Sequence, residues 1–264
     1  MVILLAIVLT VFGWWFATGI ILWINQQPAA THRWSMAAAT VMLALALLQI
    51  PGTASELTLG ASVAAFGQAL VVWGWLEMGY LMGFITGPSN RPCPPNATGW
   101  NRFSLALKTS LYHELSVVAL VLLVVAISAG EPNQVAAQTC TVLWLMRWSA
   151  KLNLFLGVTN FHSEWLPASQ RHLVSYMRTR RINPLFPVSV TVGTAFSAWF
   201  MVGLLDATTP AEQAACAIVA WLLALGVLEH WFLVLPVQDS RLWQWAMPGQ
   251  ERTSDERALG AGRV

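Results

Sequence analysis

Charge is scarce in this chain: 10% of its 264 residues are Asp, Glu, Lys or Arg, where a soluble domain carries about 25%. Hydrophobic residues make up 56% and the mean hydropathy is +0.59, which together exclude a soluble core protein. Cysteine is equally thin. Cys93, Cys140 and Cys216 stand alone, so neither a CxxC metal or redox motif nor a disulfide framework can be drawn. No internal repeat, low-complexity tract, hydrolase motif or phosphate-binding motif is present. The first segment has no basic n-region and stays apolar to Trp23, so it reads as an uncleaved span and not as a signal peptide. The net charge of +2 averages one basic face with one acidic face, and nothing signals a nucleic-acid partner.

What the chain does have is seven apolar stretches, at 1–24, 34–51, 58–86, 109–129, 133–158, 188–206 and 211–236. Most are long enough to cross a hydrocarbon core about 30 Å thick at about 1.5 Å per helical residue. The expected fold is all-α: one polytopic bundle of about seven transmembrane helices over residues 1–238, followed by a C-terminal tail, 239–264. Basic residues fall only in alternate connections: Arg33; then Arg91, Arg102 and Lys108; then Arg171, Arg178, Arg180 and Arg181; then Arg241, Arg252, Arg257 and Arg263. The other connections carry Glu56, Glu131, Asp206 and Glu212 in or beside them. By the positive-inside rule the N-terminus is outside and the C-terminus cytoplasmic. Asn96-Ala97-Thr98 fits a glycosylation pattern but sits on the inner side, so it is set aside.

Two inner loops stand out. Between Gly87 and Lys108, Pro88, Pro92, Pro94 and Pro95 surround Cys93, which predicts a stiff extended connector. In the other, Pro167 can open a short amphipathic helix whose Leu173, Val174, Tyr176 and Met177 oppose Arg171, Arg178, Arg180 and Arg181. Such a helix would lie at the lipid headgroups or meet an acidic partner. Gly60, Gly67 and Gly74 recur every seven residues and predict a packing seam. Of the fifteen Trp, Trp23, Trp34, Trp100, Trp165, Trp231, Trp243 and Trp245 read as an inner aromatic belt. Trp73, Trp75, Trp144, Trp148, Trp199 and Trp221 lie within spans, free to pack on a ring system or on each other.

Charges inside spans cost about 2.5–3.5 kcal/mol each, so they face the protein interior with partners. Glu77, His113, Glu114, Arg147, Lys151, Glu229 and His230 all fall in the cytoplasmic half of four spans, and His162 and Glu164 follow just beyond one of them. One reading is a coupled ion-pair network of Glu77, Glu114, Arg147, Lys151 and Glu229. A second is a carboxylate-bound iron or manganese pair drawing on Glu77, His113, Glu114, His162, Glu164, Glu229 and His230. Against it, adjacent residues diverge by about 100° on a helix, so His113 and Glu114 cannot both aim at one ion. A third makes His113 or His230 the axial ligand of a haem or a chlorin magnesium. Proton or substrate transport is a fourth. No catalytic residue can be assigned.

The run Leu111-Tyr112-His113-Glu114, then Lys151-Leu152-Asn153-Leu154-Phe155-Leu156-Gly157-Val158-Thr159-Asn160, Glu164-Trp165-Leu166-Pro167 and Asn183-Pro184-Leu185-Phe186-Pro187-Val188-Ser189, resembles the PuhE family, photosynthetic complex assembly protein 2 of phototrophic bacteria. The resemblance covers the middle third in detail and the rest in outline. It implies a multi-pass protein of the bacterial cytoplasmic membrane, acting in assembly of the photosynthetic reaction centre and light-harvesting complex or in bacteriochlorophyll supply. Reaction-centre or light-harvesting polypeptides would be partners alongside the lipid bilayer. Tyr112, His113, Glu114, Lys151, Asn153, Asn160, Glu164, Pro167, Asn183 and Pro187 are its signature positions. The competing reading is a membrane-embedded metal-dependent enzyme of pigment metabolism using the Glu/His cluster.

Overall fold

A computed structural model describes residues 1–161, 166–237 and 239–247. Within the described residues eight α-helices follow one another: α1 (Val2–Asn25), α2 (Ala29–Ala54), α3 (Leu59–Leu81), α4 (Gly99–Lys108), α5 (Leu111–Ser128), α6 (Val135–Leu156), α7 (Leu185–Asp206) and α8 (Pro210–Phe232). Among the described residues the only strand-type pairing is an isolated bridge between Val158 and Thr179. Six helices, α1, α2, α3, α5, α7 and α8, are long and apolar enough to cross a membrane. The stretch 133–158 forms α6, as long as α7 at 22 residues. Arg147, Lys151 and Asn153 dilute its apolar content, and it is not one of the six.

Local chemistry sets the helix ends. At the start of α8 the Thr209 side chain accepts from the Glu212 amide at 3.2 Å, and the Glu212 carboxylate accepts from the Thr208 and Thr209 amides at 2.9 and 3.1 Å. This capping box, with Pro210 in the first turn, satisfies donors that the helix leaves open. The end of α6 is made by Gly157 at φ +121°, where a Cβ would come within 2.9 Å of the Arg180 side chain.

Helices α3 and α8 are the most enclosed, the latter through Ala214, Ala217, Ile218, Val219 and Ala220. Around them, α7 packs on α8, α2 on α3, α1 on both α3 and α8, and α6 on α3, α5 and α8. Outward faces carry Leu4, Phe12, Val41, Leu48, Phe196, Trp199 and Leu205 exposed. Patches of that extent belong against lipid.

Several sequence expectations change. The stretch predicted at 34–51 begins five residues earlier, at Ala29, and α2 carries Pro51 in its last turn. The proline-rich connector ends in α4, a helix the sequence reading missed. A Cβ at Gly60 or Gly67 would meet nothing within 4 Å, so there is no glycine seam there; close approaches occur instead at Gly19, Gly87, Gly193 and Gly226. The basic loop holds a 3-10 helix, Ala168–Tyr176, and not an amphipathic α-helix. Its Leu173 and Tyr176 are buried against the protein, because the Tyr176 hydroxyl donates to the Arg91 carbonyl at 3.1 Å and Ser175 Oγ accepts from the Cys93 amide at 2.7 Å. Arg171, Arg178, Arg180 and Arg181 are exposed.

The segment Asp239–Ala246 is another 3-10 helix, docked on α1. Trp243 is buried and donates to the Trp15 carbonyl at 3.0 Å, Trp15 donates to the Leu242 carbonyl at 2.7 Å, and Trp245 lies over Gly19. These two Trp, expected in an aromatic belt, anchor the chain to its own first helix.

Candidate functional site

Three helices bring their charged residues together at the end of the bundle that carries the basic loops. Glu77 and Tyr80 lie in the last turns of α3, His113 and Glu114 in the first turn of α5, and Arg147, Trp148 and Lys151 in the second half of α6. Because Arg147 and Lys151 are one turn apart, both project from one side of α6. The Arg147 guanidinium is 2.8 Å from Glu77 Oε1 and donates to Oε2 at 2.9 Å. The Lys151 ammonium pairs with Glu114 Oε1. Glu114 also accepts from the Trp148 indole at 2.7 Å and from Ser110 at 3.3 Å. The Tyr80 ring lies between the pairs, 5.3 Å from the guanidinium carbon and 4.8 Å from the ammonium. Each buried carboxylate therefore has its own cation, and one aromatic ring is shared by both cations.

The two imidazoles are in opposite states. Nδ1 of His230 is 2.7 Å from the Gly226 carbonyl and Nε2 is 2.8 Å from Ser149 Oγ. A carbonyl can only accept, so Nδ1 carries a proton, while Nε2 meets the Ser149 hydroxyl. His113 is 0% exposed, tilted at 4.5 Å against Tyr80, and neither ring nitrogen has a hydrogen-bond partner among the described residues.

Among the described residues no three His, Cys, Asp or Glu converge on a point where a metal ion could sit. Glu77 and Glu114 are instead held by cations, and His230 by Ser149 and the Gly226 carbonyl. His162 and Glu164, two of the proposed ligands, lie outside the described residues, as do Arg252, Arg257 and Arg263.

A cavity flanks each ion pair. One of about 370 Å³ lies among α1, α3, α6 and α8, with Glu77, Arg147, Glu229 and Trp243 in its wall. There the Trp14 indole donates to Glu229 Oε1 at 3.1 Å. The structure thus sets Glu229 in the wall that also holds the Glu77–Arg147 pair. The other, of about 100 Å³, opens among α4, α5, α6 and residues 173–177, with Glu114, Trp148 and Lys151 facing Phe103, Phe155 and Met177. Arg102 of α4 sits nearby, buried, donating to the Tyr176 carbonyl and stacked 4.2 Å over the Phe155 ring. Burial, then the charge of Arg178, lowers its pKa from the usual arginine value. Arginine still stays charged, so Arg102 acts as a fixed cationic clamp between α6 and the 3-10 helix. This assembly can hold and orient a ligand by hydrogen bonding and apolar contact.

The remaining signature positions do structural work. Asn153 donates to the Ser149 carbonyl at 2.9 Å and to Ser189 Oγ at 3.0 Å, and Asn183 donates to Asn153 Oδ1 at 3.0 Å and to the Gly157 carbonyl at 2.9 Å. Asn160 donates to the Phe232 carbonyl at 2.9 Å and to that of Leu235. Together they tie the ends of α6, α7 and α8. Pro167 precedes the first 3-10 helix, Pro187 lies in the first turn of α7, and Tyr112 is exposed. Sequence reasoning missed Tyr80, Trp14 and Arg102. Tyr80 is three residues from Glu77 on the same helical face, which could have flagged it; Arg102 and Trp14 carried no such signal.

A family described as "protein of unknown function (DUF3623)" matches residues 1–254. The chain is 38% identical over 247 residues to an "uncharacterized 30.4 kDa protein in puhA 5'region" of Rhodobacter capsulatus, a match covering 92% of this chain and 90% of that protein. No solved structure matches.

Proposed function

The chain belongs to the DUF3623 family, and from that membership we propose that it is an integral membrane factor of the photosynthetic apparatus in an anoxygenic phototroph. The observation that carries the reading is the relative's position in the region 5' of puhA, which links it to the photosynthesis gene cluster. Identity with the PuhE family, and a role in assembling the reaction centre and light-harvesting complex or in supplying bacteriochlorophyll, are the finer parts of the same proposal. On this reading α6 is a seventh span, its polar face turned inward onto α3 and α5. The N-terminus is periplasmic and the basic loops face the cytoplasm.

The site supports a binding role. Glu77 and Glu114 are each paired with a cation, and its cavities are lined by Tyr80, Trp14, Trp73, Trp148 and Trp243, surfaces suited to a flat ring system. His113, enclosed and with no partner on either nitrogen among the described residues, lines neither cavity, so an axial-ligand role for a haem or a chlorin magnesium requires the packing around it to open.

Deleting the gene in its phototrophic host tests the proposal. The expected result is less assembled complex or less bacteriochlorophyll, with normal respiratory growth in the dark. Unchanged pigment and complex levels at low and high oxygen would remove the photosynthetic reading. Accumulation of one defined pigment precursor would instead favour an enzyme.

A further inference from the structure

A third cavity lies away from the charged site, on the outside of the bundle among α6, α7 and α8. It measures about 470 Å³ and is walled by Leu145, Met146, Val188, Val192, Phe196 and Leu223, among others. Leu145, Val188, Val192 and Phe196 are all between 47% and 57% exposed, so the cavity is a groove open on its outer side. Its floor includes Met146, whose side chain fills the space left by Gly193 and Gly226, and a methionine floor adapts readily to an apolar occupant. The lining runs from Ala137 to Ser149 along α6. That is about 18 Å at 1.5 Å per residue, close to one leaflet of a hydrocarbon core about 30 Å thick.

One end of the groove is polar and basic. Ser149 and Ser189 stand there, both already engaged, with His230 and with Asn153 respectively. Directly before α7, residues 178–181 are held in place: the Val158 amide donates to the Arg178 carbonyl at 3.2 Å, the Arg180 amide to the Val158 carbonyl at 3.1 Å, and the Thr159 hydroxyl to the Arg181 carbonyl at 3.1 Å. The aliphatic stem of Arg180 packs over Gly157, and Arg180 and Arg181 are exposed. Asn183 then fastens the start of α7 to the end of α6. Two exposed arginines, their backbone fastened to the end of α6, thus follow on the polar end of an apolar groove.

We propose that the α6/α7/α8 groove with Arg180 and Arg181 is a binding site for one anionic glycerophospholipid, an acyl chain lying in the groove and its phosphate on the two arginines. Charge complementarity selects this occupant, since a second apolar helix would make no use of two cations at one end. The site is independent of the photosynthetic reading.

Native mass spectrometry of the detergent-purified chain, titrated with dioleoylphosphatidylglycerol or dioleoylphosphatidylcholine, tests it. The wild type should retain the anionic lipid in preference. Val192→Trp, and separately Leu145→Trp, should displace both lipids, while Val41→Trp on the exposed face of α2 should displace neither. Arg180→Gln and Arg181→Gln should each weaken phosphatidylglycerol about fivefold, equivalent to about 1 kcal/mol, and leave phosphatidylcholine unchanged. Thermal unfolding identifies which variants fold, and two groove variants allow for the loss of one. Equal retention of the two lipids by the wild type, or folded groove variants that keep phosphatidylglycerol, would overturn the proposal. So would a change from dimer to monomer in the groove variants without lipid loss, which would make a second copy of the chain the occupant.

Discussion

Trp148 and Lys151 grip the same carboxylate, the indole donating to Glu114 Oε2 at 2.7 Å while the ammonium pairs with Oε1. One turn earlier on α6, Arg147 does the same for Glu77, and Tyr80 separates the two pairs. Four charges inside a helical bundle are stable in this arrangement only because none is left alone.

Removing one member should therefore cost far more than removing two. Glu114→Gln strands Lys151 and should lower stability by about 3–5 kcal/mol, as should Lys151→Met by stranding Glu114. The double variant should recover most of that loss. Thermal unfolding in detergent, run as a double-mutant cycle, reads the coupling. Additive losses would show that the pair is not a unit, and Arg147→Met with Glu77→Gln repeats the test on the second pair.

The histidines should behave in opposite ways. His230→Phe leaves the half-buried Ser149 hydroxyl without its hydrogen-bond partner and should destabilise by about 1 kcal/mol. His113→Phe removes two unpartnered buried nitrogens and should leave the fold intact or slightly firmer. If His113 holds a pigment or haem, that variant should stay folded and lose the absorbance of the bound group. A His113→Phe protein that unfolds more readily than His230→Phe would contradict the hydrogen-bond assignments.

Much of this was legible in the sequence, for definite reasons. Hydropathy marks α1, α3, α5, α7 and α8 because lipid demands an unbroken apolar run, and the depth of Glu77, Glu114, Arg147 and Lys151 follows from counting along helices. Which carboxylate meets which cation does not follow, since that depends on the rotation of α6 against α3 and α5. Nor did the glycine period reveal its direction: Gly60 and Gly67 face outward, because a period of seven marks a face without saying what lies beyond it. The docking of Trp243 under α1 was hidden too. A Trp near a span end has the same local signature whether it meets headgroups or a helix.

That docking predicts a coupling between the two ends of the chain. A side chain at Gly19 would run into Trp245, since even a Cβ would lie 2.1 Å from its ring. Gly19→Leu should displace residues 239–247, and Trp243→Ala should weaken the same contact by about 3 kcal/mol. Both variants should open the segment to limited proteolysis, whereas Gly52→Leu, with nothing within 4 Å, should not. Equal protease resistance in all three would mean that the segment is not held by α1.

The last prediction concerns orientation and rests on the segregation of basic residues among the connections. In a background with Cys93, Cys140 and Cys216 replaced, single cysteines at Glu131 and Thr208 should react with an impermeant thiol reagent added to intact cells. Cysteines at Arg91 and Arg178 should react only after permeabilisation, and a reporter fused after Val264 should be active on the cytoplasmic side. This outcome requires an odd number of crossings between the N-terminus and residue 264, so it also tests whether α6 spans the membrane. With the six most apolar helices alone, both termini would share a side, whereas α6 as a seventh crossing puts them on opposite sides. Labelling of positions 91 and 178 in intact cells, with none at 131 and 208, would invert the topology and turn Lys151, Glu114 and Arg102 toward the periplasm.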